Sequence, residues 1–122
     1  MGTFTYRLTL HGAASNGSQR PSRTGEALVD TGAMFTSIPA GVLRELGVKP
    51  FRTMPVRYAN GESADVPMGE VEAEVDGQRM PILVLFGAEG VPPLLGAHAL
   101  EAFLLMVAPI SKKLVRHEAF LM

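Results

Sequence analysis

Apolar and polar side chains alternate strictly at the start of the chain. Phe4, Tyr6, Leu8 and Leu10 share one face, with Thr3, Thr5, Arg7 and Thr9 on the other. A period of two predicts a half-buried strand over residues 3–10. Residues 12–25 are small, polar and poor in apolar side chains, which predicts a mobile surface loop with Arg20 and Arg23 solvated in it. A second strand over residues 26–29 runs through Ala27-Leu28-Val29 into Asp30-Thr31-Gly32, whose glycine permits a sharp change of direction. Residues 39–46, PAGVLREL, read as a short helix with proline in its first turn. Val42, Leu43 and Leu46 face inward there, and Gly47 forms the C-terminal cap.

Two hairpin patterns follow. Residues 54–58 are strand-like, Asn60-Gly61 suits a type I′ turn, and a return strand covers residues 62–67. Val71, Ala73 and Val75 then alternate with Glu70, Glu72 and Glu74, read as one solvated face, before Asp76-Gly77 turns the chain into a strand over residues 80–86. A Gly/Pro-rich connection over residues 87–93 leads through Leu94-Leu95-Gly96 into AHALEAFL, spaced as a short helix, and then to short strands at 105–108 and 114–115. Many short strands with hairpin turns and one or two brief helices predict a mainly β, barrel-like domain without tandem repeats.

Composition narrows the functional classes. A length of 122 residues suits one domain spanning residues 1–122. With 47% hydrophobic and 19% charged residues, the chain is too apolar for disorder and too evenly punctuated for a membrane span. A net charge of -1 without a basic stripe excludes nucleic acid as an expected partner. The absence of cysteine removes disulfides and thiolate ligands and suits a reducing compartment. The opening MGTFTYRLTLHG lacks the pattern of a secretion signal, so a cytoplasmic location is expected. For the same reason Asn16-Gly17-Ser18, although a glycosylation sequon, reads as a turn.

Candidate chemistry is sparse. With only His11, His98 and His117 and no cysteine, thiol proteolysis, zinc fingers and multi-histidine metal sites are excluded, and no nucleophile elbow or phosphate-binding loop is present. His98 and His117 are expected to pack or to face solvent. Asp30 differs, because it ends an apolar strand and a carboxylate there needs donors, a partner charge or a proton. An Asx turn at a strand end is the plain alternative for a bare D-T-G. Asp65 and Asp76 lack that context and read as turn residues. Met34, Tyr58, Met80 and Ile82 fit a pocket wall and core packing equally.

The longer pattern is more specific. ALVDTGAMFTSIP, a short helix, YANGE and PLLGAHALEAF, spanning residues 25–115, resemble bacterial retropepsin-like aspartic proteases, of the retroviral type. The resemblance implies a closed β-barrel of the retroviral-type acid protease fold, with a flap hairpin. It implies Asp30 as the catalytic residue, supported by Thr31, Gly32 and Ala33. Asn60 and Gly61 would form the flap tip, and Leu94, Leu95 and Gly96 would pack behind the catalytic turn. The implied mechanism hydrolyses a polypeptide with water, using two aspartates that share one proton, and needs neither cofactor nor metal. One chain offers one such turn, so a homodimer would supply the second Asp30. Thr31 would hydrogen-bond across the interface.

Two departures from the family pattern stand out: Ala108-Pro109 where relatives often carry Asp-Pro, and a flap with one glycine near its tip. Two other readings share these residues. One is a catalytically silent peptide-binding or dimerisation module of the same fold; the other is a structural β-domain docked on a partner through Phe120-Leu121-Met122.

Overall fold

The computed structural model describes residues 4–13, 20–58, 60–108 and 113–116. Thr3, the sequon at Asn16, Pro109, His117 and the terminal Phe120-Leu121-Met122 lie outside the described residues. The order of elements is β1 (Phe4–His11), β2 (Ser22–Val29), β3 (Thr36–Pro39), α1 (Ala40–Glu45), β4 (Arg52–Arg57), β5 (Ser63–Val75), β6 (Gln78–Gly87), β7 (Leu94–Leu95), α2 (Ala97–Ala102), β8 (Leu105–Ala108) and β9 (Lys113–Arg116). The protein is mainly β with two short helices.

The alternation in β1 buries Leu8 and Leu10, while Phe4 and Tyr6 pack on the core from its edge. Six strands pair in a ring: β1 with β2, β2 with β7, β7 with β3, β3 with β6, β6 with β5, and β5 back to β1. The ring is uneven. β1 and β2 pair from Phe4↔Val29 to His11↔Ser22, whereas β7 meets β2 only at Leu28 and Val29 and β3 only at Ser37. β5 returns to β1 over Thr9, Leu10 and His11. Inside lie Ile38, Leu43, Val84, Leu95 and Phe103, each at most 1% exposed. Burial of such a side chain contributes about 1.5–3 kcal/mol. β8 and β9 form a separate two-stranded sheet whose Leu105 and Leu114 join the same core.

Several elements differ from the sequence expectation. β2 begins at Ser22, so the last part of the expected loop is strand, paired through Thr24 with Thr9 of β1. Arg20 and Arg23 are not simply solvated: Arg20 donates to the Gly12 carbonyl at 2.8 Å, and Arg23 pairs with Glu45. The two strands expected around residues 62–75 are one continuous β5. Met68 opposes both Arg52 of β4 and Leu85 of β6, so the strand passes from one partner to the other without a break. Residues 68–75 of β5 belong to the ring; residues 63–67 pair with β4 alone, forming a two-stranded ribbon.

The turns also separate. Asp76 (φ 51) and Gly77 (φ 78) both lie in the left-handed region between Val75 and its partner Gln78, which is a type I′ hairpin. Tyr6 donates its hydroxyl to the Asp76 carboxylate at 2.7 Å, and that bond raises the tyrosine pKa. At Asn60-Gly61 only the glycine has positive φ (+89), so the expected type I′ turn does not form. Tyr58 accepts from the Gly61 amide instead, and its own amide donates to the Glu62 carbonyl. Gly61 thus supplies the left-handed residue of a longer tip.

Pro39 ends β3 and caps α1 instead of entering its first turn. The other end of α1 closes as foreseen: Gly47 takes φ +78, its amide donates to the Arg44 carbonyl, and Val48 donates to Leu43. That bonding is a Schellman cap. Leu43 and Leu46 are buried beneath it.

Candidate active site

Asp30 follows directly on β2, and the strand delivers it with the backbone already fixed. Leu28 donates its amide to the Pro93 carbonyl at 2.8 Å and Asp30 donates to Leu95 at 3.0 Å. The next three residues turn the chain: Ala33 donates to the Asp30 carbonyl at 3.2 Å, and the Gly32 amide donates to Asp30 Oδ1 at 2.9 Å. The carboxylate therefore takes a backbone hydrogen bond from its own loop, an interaction that fixes its rotamer. Asp30 is half-buried; Thr31 and Gly32 are exposed.

The segment behind the turn is threaded between the two strands that flank it. β7 runs parallel to β2 and antiparallel to β3, so the chain leaves β2, turns at Asp30 and passes β7 again on entering β3. The Ala33 carbonyl accepts from the Ala97 amide at 2.8 Å and the Met34 carbonyl from the His98 amide at 2.9 Å. Gly96 fits because it has no side chain: a Cβ there would lie 2.5 Å from the Phe35 carbonyl oxygen and 3.0 Å from that of Ala33. Its amide donates to Thr36 Oγ1 at 3.1 Å, and Thr36 is fully buried. Leu94, Leu95 and Gly96 thus lie against the turn formed by Asp30, Thr31, Gly32 and Ala33.

Two contributors at the turn were not singled out from sequence. Thr36 is one; its only sequence signal is a hydroxyl residue soon after D-T-G. His98 is the other. Its backbone holds Met34, and its ring sits 5.7 Å from that of Phe35 at a tilt of 35°. Thr31, Gly32, Met34, Ala97, His98 and Glu101 line an open depression of about 380 Å³ beside the turn. Met34 is 67% exposed and Tyr58 and Met80 are exposed as well, which rules out core packing for all three, whereas Ile82 is buried. Asn60 and Gly61 sit at the tip of the β4–β5 ribbon, where Asn60 Oδ1 accepts from the Glu62 amide at 2.9 Å. The hydrogen bonds described there close on the tip itself. Among the described residues, no cluster of three or more His, Cys, Asp or Glu side chains is placed to hold a metal ion. No helix among them is long and apolar enough to cross a membrane.

The Asp30 carboxylate is thus held by its own loop, at the mouth of a strand pair and beside an exposed depression. Residues 12–99 match the family model described as aspartyl protease, and the chain belongs to that family. No curated protein matches it in sequence. Solved structures give the fold. The simian foamy virus (mac) protease superposes with a TM-score of 0.56 at 18% identity, covering 80% of this chain and 92% of that one. The EIAV protease complexed with the inhibitor HBY-793 gives 0.53 at 17% identity, covering 75% and 94%. A retropepsin-like aspartic protease from Rickettsia conorii matches more loosely, with a TM-score of 0.47 at 19% identity over 88% and 86%. The resemblance to retropepsin-like proteases seen in the sequence is borne out by the family match and by the fold shared with the foamy virus and EIAV proteases.

Proposed function

We propose that the chain is one subunit of a homodimeric aspartic endopeptidase. In this reading residues 1–122 act as a single domain in the cytoplasm, and the uneven ring works as the closed barrel of the retroviral-type fold. Asp30 meets Asp30 of a second copy across a two-fold axis. The observation that carries the reading is the Asp30 turn itself: one per chain, with the carboxylate oriented by the Gly32 amide and Thr31 and Gly32 left exposed. Half of a pair must present its turn outward, and a rigid turn pre-orients the carboxylate.

Two carboxylates brought together cannot both ionise easily, so the pair holds one proton over a wide pH range. The ionised member takes a proton from water as that water attacks the peptide carbonyl. The protonated member hydrogen-bonds the carbonyl oxygen and stabilises the charge that develops there. Thr31 serves the contact between copies, and Gly32 and Ala33 hold the loop. Leu94, Leu95 and Gly96 brace the turn from behind. Asn60 and Gly61 at the ribbon tip close over an extended polypeptide and exclude water.

Cleavage of an unstructured peptide library, with mass followed by light scattering, tests this for wild type and Asp30→Asn. A dimer whose cleavage is abolished in the variant is the expected result. A folded dimer that binds peptides without cleaving them in acid or at neutral pH would make it a binding module. A strict monomer would remove the paired-aspartate mechanism.

A further inference from the structure

The ring has short joints on both sides, but they are built differently. Where β7 meets β2 and β3 the residues are Leu28, Val29, Ser37, Leu94 and Leu95, none of which titrates. Where β5 meets β1, over Thr9, Leu10 and His11, the joint is covered by charge. His11 Nε2 lies 2.8 Å from Glu74 Oε1. The Arg79 guanidinium is 3.4 Å from both Glu74 and Glu72, with Nη2 3.0 Å from each ring nitrogen of His11. Arg20 reaches Glu72 at 3.6 Å while holding the Gly12 carbonyl. Lys49 and Glu70 stand on the rim of the adjoining hollow, and Tyr6 bonds Asp76 beyond the far end of the joint. The three glutamates read from sequence as a solvated face are therefore not equivalent: Glu72 and Glu74 each meet cations from other elements.

We propose that the β1–β5 seam is an acid-sensitive latch that fixes the base of the strand carrying the ribbon. β5 is continuous, so its ring segment over residues 68–75, fixed by Glu72 and Glu74, sets where its ribbon segment over residues 63–67 starts. At neutral pH two carboxylates balance two guanidinium groups around His11. Once both carboxylates lose their charge, the Arg20 and Arg79 guanidinium groups are left without their counter-charges beside a joint only three β1 residues long. Repulsion then replaces attraction where the strand pairing is too short to resist it. The hydrogen bonds from His11 and Arg79 hold the Glu74 carboxyl below its ordinary value. A carboxylate whose folded pKa is depressed stabilises the fold above the unfolded value, and that stabilisation is lost as pH falls through the folded one. The seam consequently stays closed in mild acid and opens when the medium is acidic enough to protonate Glu74.

The latch does not depend on proteolysis, but where the paired-aspartate reading holds, seam opening contributes to the acid limb of activity. Hydrogen exchange of the whole chain, from about pH 7 down to about pH 3 and corrected for intrinsic rates, reads the seam directly. Protection in residues 9–11 is expected to fall at least about tenfold more than protection along β5–β6, a difference of about 1.4 kcal/mol in local opening. A Glu72→Gln/Glu74→Gln variant should begin with weaker seam protection and lose this selective acid response. Parallel loss of protection in the seam and in β5–β6, or a double variant with the wild-type acid response, would overturn the latch. If the double variant does not fold, the wild-type comparison alone decides. Catalytic failure leaves this readout unchanged.

Discussion

The turn at Asp30 and the tip at Gly61 are both chain reversals that carry proposed site residues, yet they are held in opposite ways. The turn is bonded to β7 and α2 through Leu95, Ala97 and His98, and it stands on fully buried Thr36 and Leu95. In the ribbon that ends in Gly61 none of the described residues from 52 to 67 is buried, and over residues 63–67 β5 pairs only with β4. Local stability follows the density of buried contacts and shared hydrogen bonds. The carboxylate therefore sits on a part of the molecule that opens only with the core, whereas the ribbon can open alone. A hydrolase that must hold a carboxylate still and also admit a polypeptide needs both behaviours at once.

Gly96→Ala attacks the rigid side most strongly. The added methyl would have to displace the Phe35 carbonyl, part of the backbone that forms the turn. Overpacking of this kind against backbone costs about 3 kcal/mol. A denaturant melt should show that loss, together with loss of any activity. A cost below about 1 kcal/mol would mean that the turn gives way easily, and the contrast with the ribbon would collapse. Thr36→Val comes next. It keeps the shape but leaves the buried Gly96 amide without its acceptor, at a cost of about 1–3 kcal/mol. Thr36→Ser should recover much of it. Equal losses in the two variants would assign the effect to packing rather than to the hydroxyl.

The part of this architecture legible in sequence is the part that local chemistry decides. Asp30-Thr31-Gly32 after an apolar strand, Gly47 after a helix and Asp76-Gly77 between alternating strands each carry their own conformational reason. Asn60-Gly61 looks like Asp76-Gly77 in sequence but behaves differently, because the pairing of Arg57 with Ser63 leaves residues 58–62 for the tip instead of two. The continuity of β5 is masked in sequence because the alternation of residues 70–75 does not extend back through Pro67-Met68-Gly69. Proline is tolerated there because β6 pairing stops at Met68, so one edge of β5 has no partner. Thr36 with Gly96 and His11 with Glu74 were out of reach for another reason: each pair joins residues about sixty positions apart, and nothing local distinguishes Glu74 from Glu70.

The smallest effect sharpens the comparison most, because the molecule supplies its own control. Gly61 and Gly77 have similar positive φ, +89 and +78, and a Cβ at either would meet nothing within 4 Å. Alanine at each therefore brings the same intrinsic backbone cost, about 1 kcal/mol. At Gly77 the hairpin is part of the ring, so the whole cost should appear in global unfolding. At Gly61 the loss seen globally is capped by the free energy with which the ribbon already opens by itself, since a ribbon that has opened no longer feels the strain. Gly61→Ala should accordingly cost less than Gly77→Ala in a denaturant melt, while exchange of the Tyr58 and Glu62 amides accelerates severalfold. Equal global costs would show that the ribbon unfolds with the core, and the ribbon tip could then not move independently of the Asp30 turn.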